Sequence, residues 1–277
     1  MVRHGSRVPL SPHLTEQVVE RLGLAAAPAP DTEGLHAVYA AWCRRVPFDN
    51  VRKRIHLEAG DPGPLPGDTP ADFFAAWLEH GTGGTCWAGN GALHALLVAL
   101  GFEAQRGLAT MMAAPDLPPN HGTVIVVVDG AHSIVDASIM HGSPLSVADG
   151  DSEVAHPAWG VRARQLDDGR LVITWPSLHQ PEGFDCRLER IGVHAADFSE
   201  RYEASRARSG FNDYLYIRLN TASTVLGAMG ARRIEIAAPD AVTEREIEDR
   251  VGFLVGEIGL SEEISRRLPG DRPRAPA

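Results

Sequence analysis

The chain has 277 residues, of which 44% are hydrophobic and 22% charged, a composition typical of a globular enzyme. Its net charge of −10 argues against a nucleic-acid partner, because phosphate binding needs clustered positive charge. No apolar run approaches the roughly 20 residues that cross a bilayer, and the first ten residues lack the apolar stretch of a signal peptide. Cys43, Cys86 and Cys186 are too few for a disulfide framework. We therefore expect a cytoplasmic protein without membrane partners, whose thiols are free for chemistry.

The first hundred residues predict helices. Apolar residues repeat at helical spacing from Leu35 to Trp42, and again after Thr69-Pro70, a pair typical of a helix start. A third helix is predicted from Cys86, with apolar positions up to Leu100 and a glycine directly after them.

The middle of the chain predicts antiparallel strands. The β-branched run Thr123 to Val128 is followed by Asp129-Gly130 and a second short run that ends at Asp136, a pattern typical of a hairpin. A second hairpin is expected around Asp168-Gly169, and a further strand from Cys186 to Val193.

The last seventy residues predict a small mixed unit. Strands are expected at 214–219 and 233–237, and Thr243 with Glu246 reads as the capping box of a helix that begins near Ile247. This order indicates the α+β class: a helical first part, an antiparallel middle part and a mixed C-terminal part.

A glycine-rich loop from Gly81 leads directly to Cys86. We expect Cys86 in the first turn of a helix, where unpaired backbone N–H groups and the helix dipole favour a thiolate. The same N–H groups can hold the oxyanion of a tetrahedral intermediate. The alternative is a small buried cysteine at a tight turn.

The register of the first hairpin favours catalysis. If Asp129-Gly130 is a two-residue turn, Asp136 lies opposite Thr123. His121 and Asp136 are then diagonal neighbours on one face, about 7–8 Å apart at Cα and within reach of a hydrogen bond. A carboxylate that orients a histidine is what a thiol-activating base requires. An exposed polar hairpin face is the alternative.

The chain resembles the arylamine N-acetyltransferases and their amide-synthase relatives over nearly its whole length. Val46-Pro-Phe-Asp-Asn50 is similar to the family's Ile-Pro-Phe-Glu-Asn segment, and Gly83-Gly-Thr-Cys86 to its Gly-Gly-x-Cys segment. Asn90 also matches that second motif. His121 and Asp136, with the hairpin between them, match the family's histidine and aspartate.

The resemblance implies Cys86, His121 and Asp136 as a catalytic triad, and the spacing of the histidines and cysteines predicts no metal site. It also implies a helical bundle (1–100) carrying the cysteine, a β-barrel-like domain (101–200) carrying the other two residues, and an α/β lid (201–277). We expect the substrate site to include Phe48, Thr85, Ile139, Met140 and His141.

The implied reaction is acyl transfer through an acyl-enzyme, from a thioester to a small-molecule amine. The segment Ala137 to His141, which differs from the family pattern, favours a specialised role in bacterial secondary metabolism. No tightly bound cofactor is expected, and the thioester co-substrate is acyl-CoA or an acyl-carrier protein. Two alternatives are an amidase or hydrolase that uses the same triad, and a binding protein whose catalytic site has decayed.

Three departures from the family pattern bear on this reaction. Thr82 replaces the family's arginine, whose partner is the acid at the position of Asp49. We expect Asp49 either to lack this partner or to pair with Arg52 or Arg54 instead. Ala88 replaces a frequent glutamate. The segment Ala137 to His141 replaces Val-Gly-Phe-Gly, and we expect its bulkier residues to reshape the cleft in favour of a larger acyl group than acetyl.

Other reactive residue types are given lesser roles. Cys43 and Cys186 are expected in the core, and His132 at the surface. Arg206 and Arg208 are either surface charges or contacts for a phosphate-bearing donor, and the sequence leaves this open.

Overall fold

The computed structural model describes residues 9–140, 142–147, 151–178 and 180–272. The helices in these ranges are α1 (Pro12–Arg21), α2 (Thr32–Arg45), α3 (Val51–Glu58), α4 (Pro70–His80), α5 (Cys86–Ala99), α6 (Ala195–Ala204), α7 (Arg250–Phe253) and α8 (Glu262–Arg267). A π-helical turn, Leu254–Ile258, follows α7. None of these helices combines the length and apolarity that crossing a membrane would take.

The predicted N-terminal helices are confirmed as α2, α4 and α5, and the structure adds α1 and α3. The Thr69 hydroxyl accepts the N–H of Asp72 at 3.2 Å, so Thr69 caps α4, and Pro70 occupies the first turn. Gly81 ends α4 with a positive φ of 73°, which glycine adopts at little cost. Helix α5 is buried along most of its length and forms the centre of the helical part.

An antiparallel sheet of eight strands forms the middle of the molecule. Its strands are β2 (Glu103–Met111), β3 (His121–Val128), β4 (Ala131–Val135), β5 (Leu145–Ser146), β6 (Ser152–Val154), β7 (Val161–Gln165), β8 (Leu171–Ser177) and β9 (Gln180–Val193). Their order is β5-β4-β3-β2-β9-β8-β7-β6. The end strands β5 and β6 lie against each other, so the sheet is nearly closed, as the barrel-like expectation required.

The predicted register of the first hairpin is confirmed. Val128 pairs with Ala131 and Val124 with Val135, on either side of a turn at Asp129 and Gly130. Both turn residues have positive φ, 50° and 78°, as a two-residue hairpin turn requires. The second predicted hairpin is β7 and β8, and the strand expected from Cys186 is the second half of β9.

The C-terminal part forms a second antiparallel sheet. Its strands are β10 (Tyr216–Asn220), β11 (Val225–Met229), β12 (Arg232–Ala238) and β13 (Ala241–Glu246), and β1 (Phe48–Asp49) adds to its edge beside β10. The predicted capping box at Thr243 and Glu246 is wrong, because both residues lie in β13 and pair with β12. The helix begins later, at Arg250, where the Asp249 carboxylate accepts the N–H of Gly252.

The pairing of β1 with β10 joins the helical part to the C-terminal sheet. Phe48 lies opposite Arg218, and Asp49 opposite Ile217. The helical core, the inner face of β3 and part of the C-terminal sheet belong to one continuous apolar cluster. The α+β class is confirmed, whereas the division into three domains at residues 100 and 200 stays a prediction.

Candidate active site

Cys86 is the first residue of α5, as the glycine-rich loop predicts. Its side chain is 9% exposed. The preceding residue, Thr85, makes no capping hydrogen bond, so the N–H groups of the first turn are left for another acceptor. The helix dipole places partial positive charge at the same end, which stabilises a thiolate or an oxyanion.

The loop before Cys86 is fixed by its contact with β1. The N–H of Gly83 donates to Asp49 Oδ2 at 2.6 Å, and Gly84 forms a parallel bridge with Phe48. A Cβ on Gly83 would lie only 1.8 Å from the carbonyl oxygen of Pro47. Only glycine fits this close approach of two backbones.

His121 and Asp136 form a buried pair. His121 is the first residue of β3, and its Nε2 lies 2.8 Å from Asp136 Oδ2. Because Nε2 contacts the carboxylate, Nδ1 is the ring nitrogen that is left for the Cys86 thiol. The hydrogen bond with Cys86 contributes to raising the pKa of His121. The diagonal arrangement predicted from the hairpin register is therefore present.

The charges of this pair favour imidazolium over neutral imidazole. Burial alone would lower the pKa of His121, but the charge and hydrogen bond of Asp136, together with Cys86, raise it to about 10. Burial alone would likewise raise the pKa of Asp136, but His121 and the N–H of Ile139 hold it well below its usual range. The pair therefore holds a positively charged imidazole ring beside the Cys86 thiol.

The other oxygen of Asp136 is fully occupied by donors. Oδ1 accepts the N–H and the hydroxyl of Ser138, both at 2.8 Å, and the N–H of Ile139 at 3.0 Å. The carboxylate therefore cannot rotate without losing several hydrogen bonds. Its orientation toward His121 is fixed by the chain that follows it.

Two further residues hold the backbone around Asp136. Asn90, one turn into α5, accepts the N–H of Ala137 at 2.9 Å and donates to the carbonyl of Gly122 at 2.6 Å. The Tyr39 hydroxyl donates to the Asp136 carbonyl at 2.9 Å and accepts its N–H at 3.0 Å. Asn90 thus connects the cysteine helix to both the histidine strand and the aspartate loop.

A cavity of about 490 Å³ opens onto Cys86 and His121. Much of its wall is apolar, from residues Met111, Leu117, Pro118, Trp175, Phe184 and Phe211. Four basic residues also line it, namely Lys53, Arg201, Arg208 and Arg218, and its described lining contains no carboxylate. The volume is within the range of small-molecule sites.

The predicted substrate residues divide into two groups. Phe48 and Thr85 line this cavity. Ile139 and Met140 are fully buried in apolar clusters and are not part of the cavity wall. The expectation that they reshape the cleft is corrected, because the hydrogen bonds of Asp136 turn this segment into the core. His141 lies outside the described residues.

Met140 has a backbone conformation that residues other than glycine rarely adopt. Its φ is 56°, in the left-handed region that favours glycine. The N–H of Met140 donates to the Asp136 carbonyl, and Asn220 and Arg218 of β10 donate to the carbonyls of Met140, Ile139 and Ser138. The C-terminal sheet therefore holds the strained segment in place.

The missing family arginine is not replaced by either expected residue. Arg52 pairs with Asp72 at 2.9 Å and Arg54 with Asp271 at 2.8 Å, so neither contacts Asp49. Burial raises the pKa of Asp49 to about 6, although the N–H groups of Val51 and Gly83 oppose the shift. At the arginine's position, Thr82 is buried, and its hydroxyl has no hydrogen-bond partner among the described residues.

The other cysteines, histidine and arginines that the sequence analysis considered lie either in the core, at the surface or at the cavity. Cys43 and Cys186 are buried and His132 is exposed. Arg206 pairs with Glu203, whereas Arg208 lines the cavity. Among the described residues, no group of three or more His, Cys, Asp or Glu side chains is placed to hold a metal ion.

Sequence reasoning did not place Lys53, Arg201 or Arg218 in the cavity, nor most of its apolar wall. Lys53 is the single lysine of the chain, a count that could have drawn attention to it. Arg218 is 1% exposed, and its guanidinium lies 4.8 Å from the Trp159 ring and 5.4 Å from the Trp175 ring. No local pattern marks an arginine in a strand as a cavity residue.

The fold is similar to solved arylamine N-acetyltransferases. The structure from Mycobacterium abscessus matches with a TM-score of 0.78 at 16% identity, over 94% of this chain and 97% of that one. The structure from M. smegmatis matches with a TM-score of 0.75 at 20% identity, over 91% and 96%. At these identities the similarity concerns the fold.

Sequence comparisons identify the family. An arylamine N-acetyltransferase of Mycolicibacterium smegmatis is 36% identical over 116 residues, which is 40% of this chain and 40% of that protein. Residues 31–223 match the profile of a family described as N-acetyltransferase, and this stretch contains Cys86, His121 and Asp136. Because the match covers more than half of the sequence, the chain belongs to this N-acetyltransferase family.

Proposed function

We propose that the protein is an N-acyltransferase that carries an acyl group on Cys86 and transfers it from a thioester to a small-molecule amine. The observation that carries the proposal is the placement of Cys86 and His121 at one cavity, with the buried Asp136 behind His121. Cys86 lies at an uncapped helix start, His121 lies beside it, and Asp136 holds His121 at 2.8 Å. Membership of the N-acetyltransferase family supports the same reaction.

The first half-reaction acylates Cys86. The thiolate, paired with the His121 imidazolium, attacks the thioester carbonyl, and N–H groups at the start of α5 stabilise the oxyanion. The bond between the carbonyl carbon and the donor sulfur then breaks. The donor leaves as a thiolate that takes up the proton of His121, and the acyl group remains on Cys86.

The second half-reaction forms the amide. The amine attacks the Cys86 thioester, the carbon–sulfur bond breaks, and the proton of the amine passes to His121, which restores the thiolate beside the imidazolium. The donor is acyl-CoA or a carrier-protein thioester, with no cofactor held between turnovers. The acceptor is an arylamine or an amine of a natural product, and bacterial secondary metabolism is the role we assign. The preference for acyl groups larger than acetyl loses its basis, because Ile139 and Met140 are outside the cavity wall.

The test is intact-mass spectrometry of the enzyme with acyl-CoA and carrier-protein thioesters, first without an amine. One acyl mass should appear, peptide mapping should place it on Cys86, and Cys86→Ala should abolish it. Burial raises the pKa of Cys43 to about 12 and also raises that of Cys186, so Cys43→Ala and Cys186→Ala are matched controls that should still acylate.

Addition of an amine distinguishes the candidate functions. The acyl mass should disappear much faster with an amine than with buffer, and the amide should accumulate in equal amount. Rapid loss in buffer alone would instead indicate a hydrolase, and failure to acylate with every donor would indicate a binding protein. An adduct that persists in Cys86→Ala would contradict the assignment of the nucleophile.

A further inference from the structure

A buried carboxylate lies beside the loop that leads to Cys86. Asp49 is the last residue of β1 and is 1% exposed. In the described ranges, no arginine, lysine or histidine is within ion-pair distance of its carboxylate, since the neighbouring Arg52 pairs with Asp72. A buried charge without a cationic partner lowers stability, because burial removes its hydration. The presence of a charge at this position therefore calls for an explanation.

The partners of this carboxylate are backbone N–H groups. Oδ2 accepts the N–H of Gly83 at 2.6 Å, and Oδ1 accepts the N–H of Val51 at 2.9 Å. The backbone N–H of Asp49 donates to the carbonyl of Gly84 at 3.3 Å. Asp49 thus contacts both glycines of the segment that ends at Cys86.

Only the ionised carboxylate can make both side-chain contacts. A carboxylate accepts hydrogen bonds on both oxygens, whereas a neutral carboxyl group carries an O–H donor on one of them. Each oxygen of Asp49 faces an N–H donor, so protonation must break the contact with Gly83 or with Val51. Either loss releases the side chain from the geometry that fixes the loop.

The groups around Asp49 determine the pH at which it becomes ionised. Burial raises the pKa of Asp49 to about 6, while the N–H groups of Val51 and Gly83 and the charge of Arg52 oppose the shift. Tyr202 of α6 also interacts with Asp49, and it stays protonated because burial raises its pKa to about 13.

The other charged groups of the surrounding elements have partners of their own. Lys53 of α3 donates to the hydroxyl of Ser205, and Arg218 of β10 donates to two backbone carbonyls. His121 stays charged near pH 6, since its pKa is raised to about 10 against the effect of burial. Among these groups, Asp49 is therefore the one whose charge changes near pH 6.

We propose that Asp49 is a positioning residue that holds Cys86 in place for acylation only while its carboxylate is ionised. This inference rests on the proposed function. Asp49 takes no part in bond making: its charge fixes the loop, and the loop fixes the start of α5. Acylation should therefore slow as the pH falls through about 6.

The effect of Asp49 on stability has the opposite sign. Its pKa in the folded protein lies above its ordinary value, so folding takes up a proton between the two values. The contribution of Asp49 to stability is present at low pH and is lost as the pH rises through about 6. A fall in acylation at acid pH then does not come from unfolding at Asp49, and the two effects can be measured separately.

The test is the single-turnover acylation rate of Cys86 at a saturating thioester concentration, followed by intact mass from about pH 5 to about pH 8. The wild-type rate should fall by about 10-fold between pH 7 and pH 5, because only about a tenth of the carboxylates are ionised one unit below a pKa of about 6. Asp49→Asn has the same shape and places an NH₂ group against one of the two donors. It should acylate about 10-fold more slowly than the wild type at pH 7.5 without the fall toward pH 5, and its Tm at pH 7.5 should not be lower.

Asp249→Asn is the matched control. The Asp249 carboxylate also accepts a backbone N–H, that of Gly252 at 2.9 Å, but it lies at the start of α7 and outside the described lining of the cavity. This variant should acylate at the wild-type rate and keep the wild-type fall below pH 6.

The outcomes are distinct. Asp49→Asn that acylates like the wild type at pH 7.5, or that keeps the same fall toward pH 5, would overturn the positioning role while leaving acyl transfer by Cys86 intact. A parallel loss of acylation and Tm would also overturn it, because Asp49 would then support the fold in general. If the wild type forms no acyl-Cys86 with any donor, the proposed function fails, and the role of Asp49 in acylation fails with it.

Discussion

At the residue scale, both oxygens of the Asp136 carboxylate take part in hydrogen bonds. Oδ2 contacts His121, and Oδ1 accepts three donors from Ser138 and Ile139. The imidazole is thereby oriented by a group that the following loop holds in place. From this arrangement we can predict whether Asp136→Asn raises or lowers the rate of Cys86 acylation.

Asp136→Asn should reduce acylation of Cys86 by up to about 10⁴-fold, the size of this effect in serine triads. The Asn oxygen should remain with the donors of Ser138 and Ile139, which leaves the NH₂ group facing His121 Nε2. Nε2 must then accept, so the neutral ring carries its proton on Nδ1 and cannot take one from Cys86.

The measurement is the single-turnover acylation rate, followed by intact mass. Asp129→Asn is a matched control, because it makes the same chemical change at the exposed turn of the same hairpin, where asparagine tolerates positive φ. Near wild-type acylation in Asp136→Asn would show that the carboxylate is only structural.

At the scale of elements, the site depends on the contact between β1 and the loop that starts α5. The helix start can present Cys86 only if this loop keeps its position. The contact distance between Gly83 and Pro47 leaves no space for a side chain.

Gly83→Ala should move Cys86 away from His121 and lower acylation by about 10²-fold, because a shift of about 1 Å at a catalytic group has effects of that order. The Tm should also fall, since Asp49 would lose its contact with the Gly83 N–H.

Gly91→Ala is the matched control. Its Cβ would meet only a side-chain atom of Phe198 at 3.9 Å, so this variant should be slightly stabilised by about 0.5–1 kcal/mol and fully active. Equal activity of the two variants would contradict the role of the loop.

The two sheets show where local sequence predicts structure and where it does not. The register of the β3–β4 hairpin was predictable, because a two-residue turn fixes the partner of every residue and thus joins His121 to Asp136. Thr243 and Glu246 have the local signature of a helix start, but pairing with β12 outweighs it. The positions of Lys53 and Arg218 depend on contacts between distant segments, which no local spacing records.

At the scale of the whole molecule, Asn50 connects the helical part to the C-terminal part. Its side chain is buried, donates to the carbonyls of Phe211 and Tyr214 at 2.9 and 2.7 Å, and accepts the N–H of Tyr216 at 3.0 Å. Phe211 and Tyr216 line the cavity. One amide therefore holds a wall of the active site.

Asn50→Ala should destabilise the protein by at least about 2 kcal/mol, because it leaves three backbone groups without their partner. The amides of residues 211–216 should exchange hydrogen faster, whereas those of the β7–β8 hairpin should be unchanged. Urea unfolding and hydrogen-exchange mass spectrometry measure both effects. Unchanged exchange at 211–216 would show that β1–β10 pairing alone holds this wall.

The pairing of Phe48 with Arg218 also has a consequence for the order of synthesis. A chain growing on the ribosome contains Cys86, His121 and Asp136 well before it contains β10. The His–Asp pair lies on one local hairpin, whereas the cavity wall requires a contact across most of the chain, which forms more slowly because of its loop-closure entropy. A ribosome-bound chain that has not yet reached β10 therefore has a nucleophile and its hairpin partners but lacks the part of the cavity wall that Arg218 and Tyr216 supply. The thiol is enclosed on this side only after β10 has been made.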